Sequence, residues 1–171
     1  MIRYEKVLSN NNTIISETTN KGSYGSDQSN FSINVVFQGN EAYTIGKRKI
    51  NLFPGNLLVL NQGTVYSSVI ESLDPVQAFT VWFDKGYVQD FKRSLEANDK
   101  DLLDNPFVED YSPWNFLETI YPLQGDMKYN LMHLKRRLEE GLTDELLYNE
   151  YLYHCLLNYH RLYNNEVFTK S

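Results

Sequence analysis

Seven short runs rich in β-branched, aromatic and aliphatic residues follow one another before residue 84, and no helical period interrupts them. They are 13–17, FSINVVF at 31–37, EAYTI at 41–45, KINLF at 49–53, NLLVL at 56–60, VYSSVI at 65–70 and VQAFTVWF at 76–83. Short strands at even spacing close into a barrel or a sandwich. Gly39-Asn40, Gly46-Lys47, Pro54-Gly55-Asn56 and Asn61-Gln62-Gly63 punctuate them with residues that take positive φ or fix φ, so hairpins are the expected links. TTNKGSYGSDQSN at 18–30 holds almost no apolar residue and is expected to be a mobile loop.

After Phe83 the period changes. Tyr87, Val88, Phe91 and Leu95 recur at helical spacing behind Asp84, a capping residue. Ser112-Pro113 reads as an N-cap with proline at the first helical position, and Trp114, Leu117, Ile120 and Tyr121 follow until Pro122 stops the run. Leu131, Leu134 and Leu138 mark a third helix ending near Gly141. A fourth starts at Thr143, whose hydroxyl can cap a turn opened by Asp144 and Glu145, and extends to about Tyr163. Strands first and helices afterwards imply a mainly β barrel, residues 1–83, carrying a helical appendage, residues 84–171, within one domain.

Composition narrows the function. With 171 residues, 42% of them hydrophobic, the chain can close a core without staples. Its single cysteine, Cys155, excludes internal disulfides and a cysteine-cluster zinc site, and fits a reducing compartment, the cytoplasm by default. No apolar run approaches the ~18 residues of a membrane span, and MIRYEKVLSN lacks a secretory pattern. A formal charge of −6 is unsuited to gripping phosphates, which takes Lys and Arg.

PGNLLVLNQGTVYSSV, 54–69, sets Gly55, Asn61, Gly63 and Tyr66 at the spacing of the second signature motif of cupin barrels, with Tyr66 in the histidine position. Upstream, the positions for the remaining metal ligands fall on Ser26, Gln28 and Ser32. None is a credible ligand for a first-row metal, and His133, His154 and His160 all lie in the helical half, so neither a metal nor a cofactor is expected. VVFQGNEAYTIGKRKINLFPGNLLVLNQGTVY, AFTVWFDKGYVQDF and LKRRLEEGLTDELLYNEYLYHCLLNYHRLY together resemble the N-terminal sensor domain of AraC-type bacterial transcription regulators, over roughly residues 30–165. The resemblance implies a jelly-roll-like barrel that binds a small effector such as a sugar or small acid, and a helical pair through which two copies dimerise. The chain stops at Ser171 without a basic or helix-turn-helix-like stretch, so contact with DNA is expected only through a domain outside it.

Strand parity places Ser32, Asn34 and Val36 on the barrel-interior face with Tyr66 and Ser68. These are the candidate ligand contacts; the competing reading is a barrel filled by its own side chains, with Asn34 and Tyr66 bonded to each other or to backbone. Trp82 joins the set as a stacking platform, although strand 76–83 alternates poorly and core packing competes for it. The last helix is apolar round most of its circumference, and Leu146, Tyr148, Tyr151, Tyr153 and Leu156 are the candidate dimer contacts. Lys47-Arg48-Lys49 and the charges at 135–140 read as solvated surface. A rival class, a metal-independent sugar isomerase or epimerase, needs a general base inside the barrel; the proposed interior offers only serine, asparagine and tyrosine.

Overall fold

The computed structural model describes residues 1–97 and 114–169, with side chains for 1–95 and 114–162. Its elements are β1 (Ile2–Val7), β2 (Thr13–Ser26), β3 (Phe31–Gln38), β4 (Glu41–Ile45), β5 (Arg48–Leu52), β6 (Asn56–Leu60), β7 (Tyr66–Phe83), α1 (Lys85–Ala97), β8 (Ile120–Pro122), α2 (Gly125–Glu139) and α3 (Glu145–Thr169). The strands pair antiparallel in the order β1-β2-β7-β3-β6-β8, with β4 on β7 and β5 on β4. This is the mainly β, jelly-roll-like barrel with C-terminal helices that the pattern of runs implies. Among the described residues no helix is long and apolar enough to cross a membrane.

Strand β7 ties the barrel together. One half, from Gln77 to Phe83, lies between β2 and β3; the other, from Tyr66 to Val69, lies between β2 and β4. The change of neighbour falls where the register shifts, with Thr19 opposite Val76 but Lys21 opposite Glu71. Pro75, which has no N–H to give to a ladder, sits in that irregular stretch. Amide side chains replace the missing bonds: Asn20 Nδ2 donates to the Leu73 carbonyl at 2.9 Å and Gln38 Nε2 to that of Pro75 at 2.8 Å. The 65–70 and 76–83 runs are therefore one bent strand of 18 residues.

Alternation divides the core in two. Ile33 and Val35 of β3, Leu57 and Val59 of β6, and Phe79, Val81 and Phe83 of β7 face the helices and pack with Met127, Leu131, Leu134, Leu152 and Leu156. Their sequence neighbours Val36, Leu58, Leu60 and Val76 turn into the barrel with Tyr43, Ile45 and Ile70. Strands buried on both faces read as unbroken apolar runs, which is why 76–83 showed no clean alternation.

Three expectations are corrected, and one strand is added. The 18–30 segment is no loop up to Ser26: it continues β2, its backbone paired with β7 from Tyr66 to Glu71. Ladder bonds belong to the backbone and need no apolar side chains, so composition concealed the strand. Strand β1, unanticipated, pairs with β2 from Ile2 to Val7. The helix expected behind Ser112-Pro113 begins outside the described residues, and within them Trp114 to Glu118 is irregular while Ile120–Pro122 is a strand on the edge of β6. Finally Asp144, not Thr143, caps α3, its Oδ1 accepting from the Leu146 N–H at 3.0 Å.

The glycine frame has a mechanical role. Gly55 and Gly63 take φ of +88° and +85°, a region that costs any residue with a Cβ. Between them the buried Asn61 grips the incoming segment by both ends of its amide: Nδ2 donates to the Phe116 carbonyl at 2.7 Å, and Oδ1 accepts from the Phe116 N–H at 3.0 Å. Asn61→Ala removes both bonds and should lower stability by about 1–3 kcal/mol. Urea unfolding with an unchanged midpoint would refute this clamp.

Candidate functional site

Inside the barrel a cavity of about 90 Å³ opens between β1, β2, β3, β4 and β7. Parity decides its walls. Even positions of β7 point inward, bringing Tyr66, Ser68 and Ile70 from one half together with Ala78, Thr80 and Trp82 from the other. Strand β2 contributes Ile15, Glu17 and Tyr24, β3 gives Asn34, β4 gives Glu41 and Tyr43, and Arg3 reaches over from β1. A second, outer cavity of about 220 Å³ is lined by Gly25, Ser26, Gln28, Ser29 and Asn30, and it shares Tyr66 and Trp82 with the inner one. The two rings border both cavities.

Of the residues expected at the site, Asn34, Tyr66, Ser68 and Trp82 line the inner cavity. Ser32 and Val36 face the same way without reaching it. Ser32 Oγ accepts from Asn34 Nδ2 at 3.0 Å, and Val36 belongs to the apolar cluster within the barrel. Asn34 is fully engaged: its Nδ2 also donates to the Leu58 carbonyl at 3.2 Å, and its Oδ1 accepts from Thr80 at 3.1 Å and Tyr43 at 3.4 Å. It orders three strands as a rigid polar post.

The expectation that the interior offers only serine, asparagine and tyrosine is overturned by Glu17 and Glu41, each 5% exposed. Glu17 is satisfied at both oxygens, accepting from the Tyr24 hydroxyl and, at 2.7 Å, from Arg3 Nη1. Glu41 accepts from Ser68 Oγ at 2.7 Å. Burial holds the Glu41 carboxyl above the ordinary range, against the opposing pull of the Ser68 and Tyr43 hydroxyls, and Glu17 adds to the rise. Burial likewise lifts the Tyr43 phenol well above its usual value, with Glu41 and Tyr66 adding to it, so this hydroxyl stays neutral. Glu41 shares a strand face with Tyr43 and Ile45, and Glu17 with Ile15, so parity is compatible with both glutamates pointing inward. The signal was masked by the usual exposure of carboxylates.

Among the described residues no group of three or more His, Cys, Asp or Glu could hold a metal ion. Ser26, Gln28 and Tyr66, three of the positions that resemble ligand sites, line the outer cavity with amide and hydroxyl groups.

On α3, two of the five candidate dimer contacts are corrected. Tyr148 and Leu156 are fully buried in the chain's own core, Tyr148 donating to the Leu142 carbonyl at 2.8 Å, so neither is available to a partner. Tyr151 is half-buried and stacks on His133. Leu146 and Tyr153 remain 72% and 41% exposed.

A family model described as AraC-like ligand binding domain matches residues 26–156. No curated protein matches the chain. Similar solved structures include a cupin superfamily protein from Desulfitobacterium hafniense DCB-2, with a TM-score of 0.42 and 13% identity over 48% of this chain and 75% of that one. The plu4264 protein from Photorhabdus luminescens gives 0.41 and 17%, covering 50% and 72%. The Cupin_2 domain of an XRE family transcriptional regulator from Enterobacter cloacae gives 0.41 and 12%, covering 48% and 96%.

The state of Glu41 makes stability depend on pH. An acid whose folded value is raised costs nothing below its unfolded value, about 4.5, and destabilises progressively as pH climbs through the folded value. Glu41→Gln keeps an acceptor for Ser68 and removes the charge. It should therefore melt higher than the parent at pH 7.5, by a margin that closes as pH falls toward 4.5. Parallel melting curves across that range check this, and a margin independent of pH would refute it.

Proposed function

The chain belongs to the AraC-like ligand-binding domain family, and from that premise we propose that it senses a small-molecule effector and dimerises on behalf of a transcription regulator, without catalysis of its own. The observation that carries the reading is the inner cavity: a concave, largely apolar and aromatic space into which several polar groups converge, the usual make-up of a small-molecule site. Asn34, Tyr66, Ser68 and Trp82 are its proposed contacts, joined by Glu41 and Tyr43, with Ser32 and Val36 supporting them from behind.

Glu41 favours one other reading, a metal-independent isomerase or epimerase, since a buried carboxyl with a raised value can act as general acid or base. Such chemistry commonly needs a second group to return the proton. Glu17 is poorly suited to that task, because Arg3 and Tyr24 occupy both of its oxygens. Sensing is therefore preferred.

Tyr66 stands between the two cavities and tests effector binding. Tyr66→Phe should leave the melting temperature of the free protein nearly unchanged and shrink the rise that a bound effector adds by mass action. A broad metabolite screen in which no compound raises the melting temperature of the parent would sink the reading.

For dimerisation the exposed residues of α3 are the probes. The proposed face comprises the exposed Leu146 and Tyr153, while Tyr151 lies on the other side of α3, against His133 of α2. Leu146→Glu is the cleaner substitution, because Tyr153 also packs edge-on against Phe91 with ring centres 5.4 Å apart. Light scattering should give twice the 20.0 kDa chain mass for the parent, and the single-chain mass for Leu146→Glu or Tyr153→Glu with circular dichroism intact. A monomeric parent at ~100 μM, well above the Kd of a standard interface, would exclude the dimer.

A further inference from the structure

The inner cavity is short of positive charge. Arg3 is the one cation on its lining, and it is committed, with Nη1 2.7 Å from Glu17 Oε2 and Nη2 3.6 Å from Glu5 Oε1. Among the described residues no Lys, Arg or His forms an ion pair with Glu41. From β7 it faces Ser68 and Tyr66, from β2 Glu17, and on its own strand Tyr43, none of which can supply a positive charge. A buried carboxyl with no cation is unfavourable in the empty protein. A ligand that brings the charge removes that penalty.

The surrounding surface suits the same ligand. The Tyr43 and Tyr66 rings lie 6.0 Å apart and tilted by 33°, and Trp82 shares the cavity with them. Aromatic faces attract cations, most strongly where water is excluded. A carboxylate ligand would instead be placed beside Glu17 and Glu41, with the only lining guanidinium already engaged. A neutral polyol could hydrogen-bond to Glu41 and would leave the charge unmatched. Size sets a further limit, because about 90 Å³ is less than the ~150 Å³ of a cavity that accepts benzene. The inner cavity suits a head group, and the remainder of a longer molecule would occupy the outer cavity beyond Tyr66 and Trp82.

We propose that the effector is a small primary amine whose ammonium group enters the barrel and pairs with Glu41 among the Tyr43, Tyr66 and Trp82 rings. This rests on the effector-sensing reading above and narrows its ligand from sugars or small acids to amines.

Matched pairs that differ only in the charged group test it: benzylamine against benzyl alcohol, isobutylamine against isobutanol, and 1,4-diaminobutane against 1,4-butanediol, each titrated calorimetrically into the whole chain at pH 7.5. At least one amine should bind tenfold or more tightly than its alcohol. Glu41→Gln, verified as folded by circular dichroism, should erase that preference, and Glu41→Asp should retain part of it. Equal binding within every pair, or a preference that survives Glu41→Gln, overturns the proposal. A panel of pentoses, hexoses and short carboxylic acids runs in parallel. If one of those binds and no amine does, the amine proposal falls and effector sensing stands; if nothing in either panel binds, both fall.

Discussion

The fold depends on one long strand that serves two environments at once. Strand β7 is bent but never broken, so its side chains keep their two-residue alternation on each side of the irregular stretch around Pro75. Its odd positions Phe79, Val81 and Phe83 lie under the helices, while Tyr66, Ser68, Thr80 and Trp82 meet inside the barrel. Because β2, β3 and β4 all hydrogen-bond to it, a slip of one residue would exchange a hydrophobic core for a polar cavity wall. The register is held by burial on both faces together.

Within that frame the polar interior is uneven in how well it is satisfied. Asn34 spends its whole hydrogen-bonding capacity on Ser32, Leu58, Tyr43 and Thr80, and thereby joins β3 to β4, β6 and β7. Glu17 is neutralised by Arg3 from the edge strand. Glu41 has hydroxyl partners and, among the described residues, no ion pair, and burial displaces its carboxyl toward the neutral form. Asn34 and Glu17 are thus held rigidly by their bonds, while Glu41 is left incompletely compensated.

The glycine frame keeps its purpose where the metal-ligand positions hold other side chains. Gly55 and Gly63 turn the chain at either end of β6, and Asn61 uses that placement to fasten Phe116. Glu118 reinforces the turn, its Oε2 accepting from the Asn61 N–H at 2.9 Å and from Thr64 Oγ1 at 2.6 Å. The segment leading to β8 is thus held by side chain to backbone bonds, which have no periodicity in sequence. That is why Trp114, Leu117, Ile120 and Tyr121 could imitate a helix.

Local patterning determined the strand-rich half, the placement of the turns, the helices α1, α2 and α3, and the inward parity of Asn34, Tyr66 and Ser68, because each depends on side-chain spacing or on the φ preference of single residues. Tertiary structure decided what depends on partners distant in sequence. The polar end of β2 became a strand through its ladder with β7, and Ile120–Pro122 became one because β6 offered an edge. Glu17 and Glu41 came inside because Arg3, Tyr24 and Ser68, from other strands or from beyond the bend in β2, met them there. On α3 the same division holds: its apolar circumference was legible, yet only the packed sheet decided that Tyr148 and Leu156 lie inward and Leu146 and Tyr153 outward. A sequence records how each residue can be buried, and the fold chooses what buries it.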